Sequence, residues 1–194
     1  MLRHVNVKIF PSQPQGAPGV AAEAVLAAAP AVFHRWIREN VCEELLIDVA
    51  DYRHVPAGPG VVLVGHEANY SLDNGGNRLG LLYNRKAPVE AGAEENVAQA
   101  LRAALAACRR LEAEPEFVGL LQFGPARELE IIVNDRALAP NTDEAFASLK
   151  PAVERALAAT YGAVEFGIER LGDARERLRI AVHALNAVPA RGGR

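Results

Sequence analysis

The side chains with a capacity for chemistry crowd into one stretch of the chain, between Asp48 and Lys86. Asp51, Tyr52, Arg53 and His54 fall together, then His66, Glu67 and Tyr70, then Asn84, Arg85 and Lys86. A histidine titrates near neutral pH and carries protons usefully once a neighbouring group fixes its tautomer. His54 and His66, with Asp51 or Glu67, are therefore the catalytic candidates for a small hydrolase or proton-transfer enzyme. A structural reading competes with this at each position. His66 on an inward strand face needs only a carbonyl or Asn84 as partner, and Glu67 falls near Tyr83 or Arg85 across a hairpin, where an exposed Glu-Arg pair is worth at most ~1 kcal/mol.

Tyr52, Arg53, His54, Tyr70 and Arg85 are the candidate ligand-binding residues. Pro56 and Pro59 stiffen the 51–60 loop, and Gly58 and Gly60 permit tight turns, so the loop can hold Arg53 and His54 in a fixed pose. A module that binds a small ligand or a protein partner through this loop and the adjacent strand ends is the first functional expectation; the enzyme is the alternative. The phosphate-binding signatures fail, because Gly58-Pro59-Gly60 leads into a strand and no Gly-Lys-Ser/Thr follows. No two-histidine zinc helix, nucleophile elbow or acidic calcium loop occurs, so no metal and no cofactor are expected.

Val5 to Phe10 alternates as a first strand, and the Pro/Gly/Gln stretch from Pro11 to Gly19 reads as a mobile loop. A helical segment from Val20 to Asn40 is split by Pro30, and its second part sets Val32, Phe33, Trp36 and Ile37 on one face. Phe33 and Trp36 are expected to pack on a sheet rather than line a pocket, and His34 falls off their stripe. Leu45 to Asp51 is a short buried strand. Val61 begins another that runs on to Leu72, which turns Val62, Val64, His66, Ala68, Tyr70 and Leu72 inward and Glu67, Asn69, Ser71 and Asp73 outward. Asp73 to Asn77 is a hairpin turn, and Leu79 to Arg85 returns, completing a three-stranded meander.

Glu94 to Glu114 is the clearest helix, with Val97, Leu101, Ala104, Leu105, Cys108 and Leu111 recurring at three and four residues. Val118 to Phe123 and Glu128 to Asp135 read as a second hairpin about Gly124-Pro125. Asn141 with Glu144 opens a further helix, kinked at Pro151 and ended by Gly162. Val164 to Leu171 and Leu178 to Ala184 close the chain as a third antiparallel pair. On its outer face His183, Arg177 and Arg179 face Glu165 and Glu169.

The order β-α-βββ-α-ββ-α-ββ lacks the alternation of a parallel doubly wound sheet. It predicts a two-layer α+β fold, a largely antiparallel sheet of about seven strands packed by three main helices. Residues 1–188 form a single domain, with a faint echo between Val62–Ala68 and Ile180–Ala184 that would make 1–114 and 115–188 pseudo-related halves; 189–194 is a frayed tail.

The 194 residues can bury a sizeable core without staples. Alanine supplies 36 of the hydrophobic residues and aromatics only 6% of the chain, which suits Ala-rich helices on an aliphatic sheet. A net charge of −3, with lysine only at Lys8, Lys86 and Lys150, excludes a polybasic nucleic-acid binder. No long apolar run suggests a membrane span, and unpaired Cys42 and Cys108 fit a cytoplasmic protein. Arg127 to Asp135 looks like a lightly protected sheet edge, which predicts a possible homodimer.

Overall fold

The computed structural model describes residues 4–12, 22–42, 44–88, 90–124 and 128–186. Residues 13–19 of the loop expected from Pro11 to Gly19, and the tail 189–194, lie outside these residues. The chain runs β1 (Val5–Ile9), α1 (Ala22–Glu39), β2 (Leu46–Tyr52), β3 (Gly60–Gly65), β4 (Ala68–Asp73) and β5 (Gly80–Arg85). It continues with α2 (Ala93–Ala113), β6 (Glu128–Val133), α3 (Asp143–Tyr161), β7 (Phe166–Leu171) and β8 (Leu178–Ala184). Among the described residues this is the expected α+β fold, three α-helices on an antiparallel sheet whose eight strands agree with the expected number of about seven.

The sheet order is β2-β3-β4-β5-β1-β6-β8-β7. β1 lies in the interior between β5 and β6, and all five of its residues are buried. Its alternation explains the layers: Val5, Val7 and Ile9 join the apolar core beneath the helices, while Asn6 and Lys8 turn to the other face. Across the strands the same rows continue, Val7 beside Tyr83 and Ile131, Tyr83 beside Tyr70. α1 packs on β2 and β3, α2 on β5 and β1, and α3 on α2 and β7.

α1 runs unbroken through Pro30. An interior proline costs a helix about 3 kcal/mol, but Val25, Leu26 and Ala29 before it and Val32, Phe33 and Trp36 after it are buried in one stripe that holds both parts together. α3 likewise continues through Pro151 and ends at Gly162, whose φ is 74°. Its cap is Thr142, not Asn141: the Thr142 hydroxyl accepts from Ala145 N at 3.2 Å. Asn141 instead donates to the Leu171 and Asp173 carbonyls.

Further expectations are corrected. The strand from Val61 does not reach Leu72; it turns at His66 and Glu67, so β2 to β5 form a four-stranded meander. A Cβ on Gly65 would lie 2.5 Å from the Ala68 carbonyl oxygen, a closeness only glycine admits. The turn resets the facing pattern: Val61 and Leu63 are the fully buried positions of β3, His66 is exposed, and Ala68, Tyr70 and Leu72 face in on β4. Ser71 and Asp73 are buried too, on the opposite face.

The segment Leu46–Tyr52 is a sheet edge, with Ile47 exposed, rather than a buried strand. Val118 to Phe123 forms no hairpin; a 3₁₀ turn at Pro115–Phe117 leads into a loop, and β6 pairs with β1 and β8 instead. β6 is thus an interior strand, and the argument for a homodimer through it falls away. On β8, Arg179 meets Glu130 of β6 at 2.8 Å rather than the glutamates near β7. Arg177 donates to Asn134, and His183 stands in register between Glu128 and Gly167. The two echo segments also differ in form, since Val62–Ala68 contains a turn and Ile180–Ala184 is continuous strand.

Candidate ligand-binding cleft

Because α1 covers β2 and β3 while α2 covers β5 and β1, β4 is left between them as the floor of a cleft of about 640 Å³. Tyr70 of β4 and Tyr83 of β5 form the floor, their ring centroids 5.2 Å apart at 60°. Trp36, Val41, Cys42 and Glu44 make the wall on the α1 side. The opposite wall is one stripe of α2, Gln99, Arg102, Ala103, Ala106, Ala107 and Arg110, at the three- and four-residue spacing of a helix face. Arg85 and Glu67 complete the lining from the end of β5 and the β3–β4 turn.

The floor is fixed by hydrogen bonds. The Tyr70 hydroxyl donates to Glu44 Oε1 at 2.8 Å, and Ala68 N donates to Glu44 Oε2 at 2.8 Å. Gln99 Nε2 donates to the Tyr83 hydroxyl at 2.9 Å. Arg85 donates through Nε to the Ala87 carbonyl and pairs through Nη2 with Glu67, both at 2.9 Å. Arg102 pairs with Glu95 at 2.6 Å. Arg110 lies over the Trp36 ring at 5.9 Å and has no carboxylate partner among the described residues. Trp36 is fully buried and anchors its own ring by donating Nε1–H to Glu114 at 2.5 Å.

Two acidic groups of the lining are held in their protonated forms. Burial and then Glu44 push the Tyr70 phenol well above its ordinary range. Burial, with Glu44, also raises the Cys42 thiol, against a smaller opposite pull from Arg110. Both groups stay protonated at neutral pH, and guanidinium groups do not give up their protons in proteins.

Of the residues singled out by sequence, Glu67, Tyr70 and Arg85 meet in this cleft. Asp51, Tyr52, Arg53 and His54 do not; they sit exposed in the β2–β3 hairpin at the other end of β3. There Asp51 takes Arg53 as its partner, at 2.5 Å to Nη2, instead of an imidazole, and those bonds hold its carboxyl down at about 2. The His54 ring lies 6.4 Å from Tyr52. His54 and His66 occupy turns at opposite ends of a six-residue strand, roughly 20 Å apart at strand rise. The pair required by a histidine-based enzyme is therefore not assembled.

Sequence reasoning missed Cys42, Glu44, Tyr83, Gln99, Arg102 and Arg110. The signal for the last three was present in α2. Beside its core stripe runs a second one in which Gln99, Arg102 and Arg110 bracket alanines, a polar-ended strip too small in the middle to fill space.

Among the described residues no three His, Cys, Asp or Glu side chains gather as a metal ion would require, and no helix is long and apolar enough to cross a membrane. No family model, no curated protein and no solved structure matches the chain.

Proposed function

We propose that the protein binds a small organic anion in the cleft between α1 and α2. The observation that carries this reading is the convergence of Arg85, Arg102 and Arg110 on an alanine-walled cavity, with Arg110 left without a carboxylate among the described residues. Guanidinium groups are the side chains best suited to carboxylate or phosphate recognition, through their planar fork of donors. The tyrosine hydroxyls and Gln99 add neutral hydrogen-bonding groups, and the alanines offer apolar surface, the mixture usual in small-molecule sites. A volume of about 640 Å³ suits a metabolite-sized ligand rather than a protein or a nucleic acid. Two unpaired cysteines favour a reducing compartment such as the cytoplasm.

Isothermal titration calorimetry against a panel of mono- and dicarboxylates and organic phosphates tests the reading. At least one member binds the wild-type chain with sub-millimolar affinity, and Arg85→Ala and Arg110→Ala each weaken it about tenfold, the loss of one charge-assisted contact. Binding that both variants retain in full places the site elsewhere.

A further inference from the structure

The geometry points to an elongated dianion as the ligand: two acidic ends joined by an apolar middle. This rests on the anion-binding reading and adds the ligand's shape. Arg102 and Arg110 stand eight residues apart on α2, ~12 Å along the axis at the helical rise. Only Ala103, Ala106 and Ala107 line the wall between them. A strip of methyl groups offers no hydrogen bond to a polar middle and gives an aliphatic chain a smooth surface to lie on.

The third arginine sorts to one end. Gln99, one turn before Arg102, donates to the Tyr83 hydroxyl, and Tyr83 and Arg85 are on the same face of β5, two residues apart. Arg85 therefore belongs with Arg102. Arg110 belongs to the other end, over Trp36 and near Cys42. The cleft has two cationic poles with an apolar saddle between them.

The two carboxylates of the lining do not cancel these poles equally. Glu44 is held by the Tyr70 hydroxyl and Ala68 N, both of its oxygens accepting. Glu67 pairs with Arg85 from an exposed turn, its side chain 49% accessible, so an incoming acid group can take its place at little cost. Arg102 is tied only to Glu95, and both are more than half exposed. A ligand acid at this end replaces weak surface pairs, while at the other end it meets an arginine that no carboxylate holds.

The test titrates the full-length chain calorimetrically with the α,ω-dicarboxylates from malonate to sebacate, with monocarboxylates and ω-amino acids of matching length beside them. Affinity rises with length and peaks among the longer diacids, suberate to sebacate, at about tenfold or more over the matching monoacid. Arg110→Ala brings the diacid down to the monoacid. Arg110→Glu, with circular dichroism as the control for its folding, reverses the order so that the ω-amino acid binds more tightly than the diacid. Affinity independent of length, or equal for mono- and diacids, overturns the dianion while leaving anion binding in place. A wild-type preference for the ω-amino acid overturns it too, since Glu44 would then define that end of the ligand. If none of these acids binds and organic phosphates do, the dicarboxylate shape is wrong; if nothing in either series binds, the anion-binding reading fails with it.

Discussion

Cys42 and Cys108 carry the same thiol in two settings, and the contrast gives the cleft an intrinsic reporter. Cys108 is buried on the core stripe of α2, and burial pushes its thiol well up. Cys42 is half-buried on the cleft wall, and its thiol is raised first by desolvation and then by Glu44. Only the thiolate attacks an alkylating agent. Cys42 therefore reacts slowly at pH 7, its rate climbs beyond the ordinary thiol value of 9.0, and a saturating anion in the cleft slows it further, while Cys108 stays silent until the chain unfolds. Mass spectrometry of iodoacetamide-treated protein checks this; a ligand that binds without protecting Cys42 lies somewhere else. Individual side chains were unevenly legible in the sequence. Tyr70 was readable as an inward polar group in need of a partner, and Glu44 is that partner. His66 was misread, because a turn inside an apolar run reverses the facing of what precedes it, and no residue type in Val64-Gly65-His66-Glu67 announces that turn beyond one glycine.

The turn is therefore the element on which the site depends most directly. It places Glu67 at the cleft, and its backbone is held by Lys86 N and Ala87 N, both donating to the Glu67 carbonyl, and by His66 N donating to Leu45. The Cβ of Gly65→Ala would meet the Ala68 carbonyl and Glu44. Backbone must shift to admit it, at a cost of about 1–3 kcal/mol, read as a lowered urea midpoint, and anion binding weakens because Glu44 and Glu67 both move. At the far end of β3 the opposite outcome is expected. The Arg53→Ala/His54→Ala double variant touches exposed groups outside the cleft, so its melting temperature and its anion affinity both match wild type. Loss of affinity there returns the 51–60 loop to the binding surface. Among the elements, helices with a regular stripe were the most legible, α2 to within a residue at each end. The hairpin foreseen at Val118–Phe123 failed because burial of Leu121 and Phe123 beneath the helices imitates the alternation of a strand.

At the scale of the whole molecule, class and layering followed from element order, but strand order did not. β1 pairs with β5 and β6, partners that lie far along the chain, and periodicity carries no information about which distant strand will be a neighbour. Placing β1 in the interior has a consequence for the face of the sheet away from the helices. Lys8 crosses over Gly80 of the adjacent strand, where a Cβ would come within 3.0 Å of its Cε, and reaches Asp73 on β4 at 2.5 Å. The two side chains are only 7% and 11% exposed, so one buried ion pair ties β1 to β4 across β5. Removing one partner leaves the other charge desolvated and alone, whereas removing both leaves no such charge. Asp73→Leu therefore costs about 3–5 kcal/mol, and Lys8→Met costs a similar amount. The double variant Lys8→Met/Asp73→Leu recovers most of the loss, since two apolar side chains can fill the same space. Chemical denaturation of the four proteins as a double-mutant cycle reads the coupling. Additive losses in the double variant would mean that the two groups reach water independently and that this face is not closed around the pair.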